Sequence, residues 1–145
     1  MQGKCLCGAV EFELSGIMPD LYQCHCSLCR KVTGSAANAA FRIGADQFRW
    51  LRGEQRISKY VTDSGFKSHF CSSCGSPLPN LTGNGSAYWI PVGLLEDSAE
   101  LKLVAHLFVG SRASWDIVAE GAEHFDEMPD SEALDRLLQH RKAVT

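Results

Sequence analysis

The chain has 145 residues, the length of one ordinary domain, and 45% of them are hydrophobic, which is enough for a single core. A net charge of −3 without a strongly basic segment argues against nucleic acid as a partner. No apolar run approaches the ~20 residues of a membrane helix, and Met1–Lys4 lead into Cys5 without a signal-peptide core. We therefore predict one domain over residues 1–145, located in the cytoplasm, with no membrane partner.

The first third of the chain begins with a strand and continues into a helical turn. Alternation of apolar residues with glutamates predicts a strand within residues 8–14. Residues 21–23 lead into a short helical turn, for which Ser27 is the candidate N-cap and Gly34 the candidate end. A further strand is predicted through residues 35–43, where small residues precede larger apolar ones.

Short strands separated by turns also dominate the middle of the chain. They are predicted at residues 47–53, 56–61, 66–70, 87–92 and 100–109. The last of these alternates poorly, which indicates burial on both faces. Residues 110–129 have no clear period and are predicted to form an extended, well-packed connection that includes Trp115, a candidate core residue.

Only residues 131–142 have the period of a regular helix. Leu134, Leu137 and Leu138 give the apolar stripe, and the cations at residues 140–142, His140 among them, suit the negative C-terminal end of a helix. The predicted fold class is mainly β, in a single domain with short helical turns and one C-terminal helix.

The seven cysteines are the strongest indication of function in the sequence, because their spacing favours metal binding. They occur in three groups: Cys5 and Cys7, then Cys24, Cys26 and Cys29, then Cys71 and Cys74. Three thiols within six residues do not suit a disulfide, and seven is an odd number for a disulfide framework. Thiolates at C-x-C and C-x-x-C spacing suit zinc, and a reducing compartment would keep these thiols free.

We predict that the cysteines divide into a four-cysteine cluster (Cys5, Cys7, Cys71 and Cys74) and a three-cysteine cluster (Cys24, Cys26 and Cys29). Gly8 and Gly75 follow a cysteine in each pair of the four-cysteine cluster, and glycine permits the tight backbone turn of a zinc knuckle. This cluster is predicted to hold a structural zinc ion. Two zinc ions per chain are expected in all.

The three-cysteine cluster is predicted to hold zinc with one position open for a sulfur ligand. Arg30 and Lys31 follow it directly, and nearby cations and helix N–H groups lower the pKa of thiols. The alternative is a second structural zinc with water or a side chain as its fourth ligand. Among the histidines, His25 is predicted to point away from the metal as a surface or supporting residue, and His69 could face the same way as Cys71.

Three motifs together resemble one family. The patterns G-x-C-x-C-G-A-V at 3–10, C-H-C-S-x-C-R-K-x-x-G-S at 24–35 and F-C-x-x-C-G-S-x-L at 70–78 are similar to those of the glutathione-dependent formaldehyde-activating enzymes, which share their domain with centromere protein V. The segments at 106–115 and 125–129 resemble the usual ending of that family.

The resemblance implies a β-tent-like zinc fold of twisted sheets. It maps the structural zinc onto the four-cysteine cluster and the catalytic zinc onto the three-cysteine cluster. The implied reaction is that of S-(hydroxymethyl)glutathione synthase, a carbon–sulfur lyase that joins glutathione and formaldehyde, with Arg30 and Lys31 as candidate substrate-binding residues. A small thiol, with glutathione as the candidate, is the expected partner. A non-catalytic zinc-binding interaction module and a thiol or redox sensor remain the alternatives.

Overall fold

The computed structural model describes residues 1–139, so His140, Arg141 and Lys142 of the predicted helix lie outside the described residues. The chain divides into two compact units. The first comprises Met1–Gly16 and Arg42–Ala99, and the second comprises Ile17–Phe41 and the described residues from Glu100 onward. Strands predominate, as the sequence predicts. Within residues 1–139 no helix is both long and apolar enough to cross a membrane.

Eleven strands and two α-helices make up the described chain. In order they are β1 (Gln2–Lys4), β2 (Glu11–Leu14), β3 (Leu21–Cys24), α1 (Ser27–Thr33), β4 (Asn38–Gly44), β5 (Phe48–Arg52), β6 (Ile57–Val61), β7 (Lys67–Cys71), β8 (Asn80–Leu81), β9 (Ala87–Pro91), β10 (Leu103–Leu107), β11 (Glu123–His124) and α2 (Ser131–Leu138). Single 3-10 turns occur at Ala45–Gln47, Glu54–Arg56, Val92–Leu94 and Val109–Ser111.

The first unit is built from short antiparallel pairings. β2 lies between β1 and β5, β6 pairs with β7, and β8 pairs with β9. Phe12 and Leu14 of β2 are buried, whereas Glu11 and Glu13, which alternate with them, are partly exposed, as the alternation predicts. A buried cluster of Cys5, Val10, Cys71 and Leu78 packs against Trp50 and Ile57, so two of the cysteines are part of its core.

The second unit contains a parallel arrangement that local sequence does not reveal. β10 lies between β3 and β11 and runs parallel to both, while β3 pairs with β4 in the antiparallel direction. Ala105, His106 and Leu107 are buried in succession, which agrees with a strand covered on both faces. The register of β10 with β3 sets Leu107 opposite Cys24, at the point where the three-cysteine cluster begins.

The C-terminal helix is confirmed over its described part. Asp130 caps α2 by accepting a hydrogen bond from the Ala133 N–H at 3.3 Å. Leu134 and Leu138 are buried, one turn apart on the same face of the helix. The Leu138 carbonyl accepts a hydrogen bond from the Asp20 N–H at 2.7 Å, which ties the end of α2 to the chain just before β3.

Two sequence predictions need correction or refinement. The strands at 47–53 and 56–61 exist as β5 and β6, but Gly53 takes a left-handed conformation (φ 80°) and a 3-10 turn follows, so the two strands enter different sheets. The prediction that Trp115 lies in a well-packed segment is wrong, since 68% of its surface is exposed. A segment without periodicity gives no indication of which side chains are buried.

Candidate metal centres

The four-cysteine cluster forms where two turns of the first unit meet. Cys5 and Cys7 follow β1, Cys71 ends β7, and Cys74 lies three residues further on. The four Sγ atoms lie within 4.8 Å of one another. The Sγ atoms of Cys5 and Cys7 are 3.6 Å apart, and those of Cys7 and Cys71 are 3.9 Å apart. Four thiols at such separations suit a tetrahedral soft metal ion.

Each half of the four-cysteine cluster is a turn that returns an N–H group to a cysteine. Gly8 and Gly75 adopt φ values of 74° and 77°, which most side chains avoid. The Gly8 N–H donates to the Cys5 carbonyl at 3.0 Å, and the Gly75 N–H donates to the Cys71 carbonyl at 2.8 Å. The Val10 N–H donates to the Cys5 Sγ at 3.3 Å. The glycines that suggested zinc knuckles in the sequence therefore stand at the turns that need them.

The three-cysteine cluster lies at the junction of β3 and α1 in the second unit. Cys24 ends the strand, Cys26 precedes the helix, and Cys29 lies in its first turn. Their Sγ atoms also lie within 4.8 Å of one another. Cys24 and Cys29 are buried, whereas Cys26 is partly exposed.

The helix cap at this junction differs from the sequence prediction. Cys26, not Ser27, is the N-cap, and its Sγ accepts a hydrogen bond from the Cys29 N–H at 3.4 Å. Gly34 ends the helix with a left-handed backbone (φ 63°), as predicted. A thiolate can fill the capping position that serine usually takes, because both accept an N–H hydrogen bond. The N-terminus of α1 thus directs an amide toward a sulfur.

Hydrogen bonding among the three thiols separates their acidities. A hydrogen bond from the Cys29 thiol lowers the pKa of Cys24 to about 6, and a backbone amide at Cys26 adds to this against the effect of burial. The bond to Cys24, together with burial, raises the pKa of Cys29. The lowered pKa of Cys24 favours the thiolate form that a metal ion binds, and a metal ion would take the place of the thiol protons in this cluster.

Among residues 1–139, no histidine, aspartate or glutamate joins either cluster at ligand distance of all its thiols. His69 lies on β7, where burial and the nearby Lys59 and Lys67 lower its pKa, and it belongs to neither set. The three-cysteine cluster therefore offers a metal three protein ligands from the described chain. The donor set fits zinc, since all its atoms are thiol sulfurs.

The environment of His25 is more buried and more specific than the sequence predicts. The sequence predicts a surface or supporting residue that points away from the metal; its ring is not among the ligand atoms, but it is only 2% exposed. Its Nδ1 lies 2.9 Å from Asp116 Oδ2, and its Nε2 lies 2.9 Å from His106 Nδ1. No local sequence pattern marks His106 and Asp116 as its partners, since they lie 81 and 91 residues away from His25.

The two cations that follow the three-cysteine cluster lie on α1. Arg30 is partly buried and its Nη2 donates to the Ser111 carbonyl at 3.4 Å, while Lys31 is exposed. The Arg30 Nε is buried and has no hydrogen-bond partner among the described residues. Their assignment to substrate binding remains a prediction.

Comparison with known proteins shows the family to which this chain belongs. The profile of the family described as "Glutathione-dependent formaldehyde-activating enzyme" matches residues 1–111, which include all seven cysteines. The chain belongs to this family. The family assignment agrees with the resemblance drawn from the three cysteine motifs.

Two individual proteins are similar to part of this chain. A Halomonas elongata protein named "Putative glutathione-dependent formaldehyde-activating enzyme" is 33% identical over 84 residues, which is 54% of this chain and 54% of that protein. The match thus spans about half of the curated relative. The crystal structure of a Rhodobacter sphaeroides protein is 28% identical with a TM-score of 0.57, and the match covers 68% of this chain and 90% of that one.

Proposed function

We propose that this chain is a zinc-dependent carbon–sulfur lyase that acts on the adduct of a small thiol with an aldehyde, with glutathione and formaldehyde as the substrate pair. The observation that carries the proposal is the three-cysteine cluster, which brings three thiols together without a fourth protein ligand from the described residues. A structural zinc site uses four protein ligands, whereas a catalytic one keeps a position open. Family membership supports the same chemistry.

Cys24, Cys26 and Cys29 would hold the catalytic zinc, and the four-cysteine cluster would hold the structural one. When bound, zinc supplies positive charge that lowers the pKa of a thiol at the remaining position. The chain contributes ordered sulfurs: the hydrogen bond from Cys29 lowers the pKa of Cys24 to about 6, and the Cys29 N–H donates to the Cys26 sulfur. Partial exposure of Cys26 is consistent with an open position that a substrate can reach.

The reaction balances without an added reactant. The thiol sulfur forms a bond to the carbonyl carbon of formaldehyde, the carbonyl π bond breaks, and the thiol proton ends on the oxygen. The reverse reaction breaks the carbon–sulfur bond and returns the proton to sulfur. Because one barrier serves both directions, a catalyst of the synthesis also accelerates the cleavage.

An exchange measurement tests the proposal. Glutathione adds to formaldehyde unaided, so we would measure by NMR the exchange rate between free and hydroxymethylated glutathione at equilibrium. The wild type should raise that rate in proportion to its concentration, and Cys26→Ser should abolish the increase. Ser27→Ala, at the exposed neighbouring position, is the matched control and should retain it. A wild-type rate equal to the uncatalysed one across several small thiols would refute the lyase and favour the interaction module.

We further propose that Arg30 and Lys31 recognise the carboxylates of the thiol. The Arg30 Nη2 supports this role, because its 3.4 Å hydrogen bond to the Ser111 carbonyl is long and exposed, and a guanidinium presents several donors in a fork that fits a carboxylate. Arg30→Gln should raise the KM for glutathione by about tenfold, the scale of one charge-assisted hydrogen bond. It should leave the rate with 2-mercaptoethanol, which has no carboxylate, unchanged. Equal losses with both thiols would assign Arg30 to the structure of α1 instead.

A further inference from the structure

Three buried polar side chains are joined in a row by hydrogen bonds, and one of them, His25, lies between Cys24 and Cys26 of the three-cysteine cluster. The His25 ring is held at both nitrogens, by Asp116 Oδ2 and by His106 Nδ1, each at 2.9 Å. His25 and His106 are each 2% exposed, and the Asp116 side chain is 10% exposed. Three polar groups buried together carry a large desolvation cost unless each one is hydrogen-bonded, so their arrangement is tightly specified.

For the two hydrogen bonds that join these side chains, the donor and the acceptor can be assigned. A carboxylate only accepts, so His25 Nδ1 donates to Asp116, and in a neutral His25 ring Nε2 then accepts from His106 Nδ1. The remaining nitrogen, His106 Nε2, is buried without a hydrogen-bond partner among the described residues. Burial and the neighbouring imidazoles of His25 and His124 lower the pKa of His106, which favours the neutral ring this arrangement needs. With both rings neutral, His106 therefore donates to His25, and His25 donates to Asp116.

The same segments also hold the backbone between the cysteines. The His25 N–H donates to the Leu107 carbonyl at 2.9 Å, and Leu107 lies opposite Cys24 in the register of β3 with β10. His25 is peptide-bonded to both Cys24 and Cys26. A ring fixed at two nitrogens and a backbone fixed at its amide leave the two flanking thiols little freedom to move.

We propose that Asp116, His25 and His106 form a positioning network that preorganises the three-cysteine cluster for its metal ion. None of the three is a ligand; the network acts through the backbone shared by His25 and its two neighbouring cysteines. Partners that orient metal ligands from outside the ligand set typically contribute about 10- to 100-fold to metal affinity. The inference rests on the proposed metal site but not on the identity of the thiol.

Cobalt(II) is a suitable probe because thiolate coordination gives charge-transfer and d–d absorption bands. The full-length protein would be titrated with Co²⁺ under reducing conditions, and the signal missing in Cys26→Ser identifies the three-cysteine cluster. His106→Leu, which removes the donor to His25, should weaken Co²⁺ binding at this cluster by at least about tenfold. Binding at the four-cysteine cluster should not change.

Two further variants separate positioning from simple packing. His106→Asn places an amide donor near the position of the imidazole Nδ1 and should restore most of the lost Co²⁺ affinity. His124→Leu is the matched control: His124 contacts the His106 ring, at 5.1 Å between centroids, but does not take part in the hydrogen bonds that join Asp116, His25 and His106. Its Co²⁺ affinity should equal that of the wild type.

The outcomes are distinct. A three-cysteine signal that is absent from the wild type would overturn the proposed metal site and this inference together. A wild-type signal with unchanged affinity in His106→Leu would overturn the inference alone, as would equal weakening in His106→Leu, His106→Asn and His124→Leu. If His106→Leu does not fold, Asp116→Asn provides the test: it removes the charge at the other end of the network, and wild-type affinity in that variant would refute the inference.

Discussion

The two cysteine clusters have the same type of ligand but differ in how far apart their ligands lie in the sequence. The four-cysteine cluster joins turns that lie far apart in the chain, with Cys7 and Cys71 separated by 64 residues. The three-cysteine cluster takes all its thiols from one stretch of six residues, between β3 and α1. A cross-link between distant segments removes much conformational entropy from the unfolded chain, whereas a local one removes little. Loss of metal should therefore be far more damaging at the four-cysteine cluster.

The largest expected effect is a difference in folding between two serine variants. Cys71 is fully buried in the core of the first unit, and structural zinc sites contribute on the order of 10 kcal/mol to folding, so Cys71→Ser should lose the cooperative thermal transition. Cys26→Ser should keep that transition and bind one zinc ion per chain instead of two. Calorimetry and elemental analysis provide the measurements. Equal damage from both substitutions would show that both clusters are structural.

A smaller effect should follow from adding a single methyl group at the glycine turns. Gly75 and Gly34 both have left-handed backbones, and an added Cβ meets no atom within 4 Å at either position. Each alanine substitution should thus cost about 1–2 kcal/mol of backbone strain, seen as a lower midpoint of urea unfolding. Only Gly75→Ala, beside Cys74, should also weaken metal binding at the four-cysteine cluster. If Gly34→Ala weakened it equally, the turn geometry would not explain the effect.

The smallest effect concerns the pH at which each cluster releases its metal. A hydrogen bond from the Cys29 thiol lowers the pKa of Cys24 to about 6, and the Ser76 hydroxyl and amide lower the pKa of Cys74 to about 5. Each cluster also has a thiol whose pKa is raised, Cys29 and Cys7 respectively, so the thiol of lowest pKa, which stays ionised to the lowest pH, distinguishes the two clusters. A lowered pKa favours the metal-binding thiolate above that value, and the advantage is lost as the pH falls through it. In an acid titration with a zinc-sensitive dye, the three-cysteine cluster should release zinc at the higher pH. Release in the reverse order would contradict this assignment.

The sequence alone determined the features that depend on short spacing. Cysteines two or three residues apart reach one metal ion in any compact backbone, and the glycines beside Cys7 and Cys74 mark turns with positive φ. Alternation located β2, and the apolar stripe located α2. The division of seven thiols into four and three was readable because local spacing marks the triplet and the two pairs, and the two pairs were left to combine with each other.

Tertiary structure decided the features that depend on distant segments. The sequence left His25 as either a surface or a supporting residue, because its partners, His106 and Asp116, come from 81 and 91 residues away. The parallel pairing of β10 with β3 brings His106 to it, and no local period encodes which strands pair. Trp115 likewise appeared to be a core residue and proved exposed, since burial is settled by what the rest of the chain covers and not by residue type.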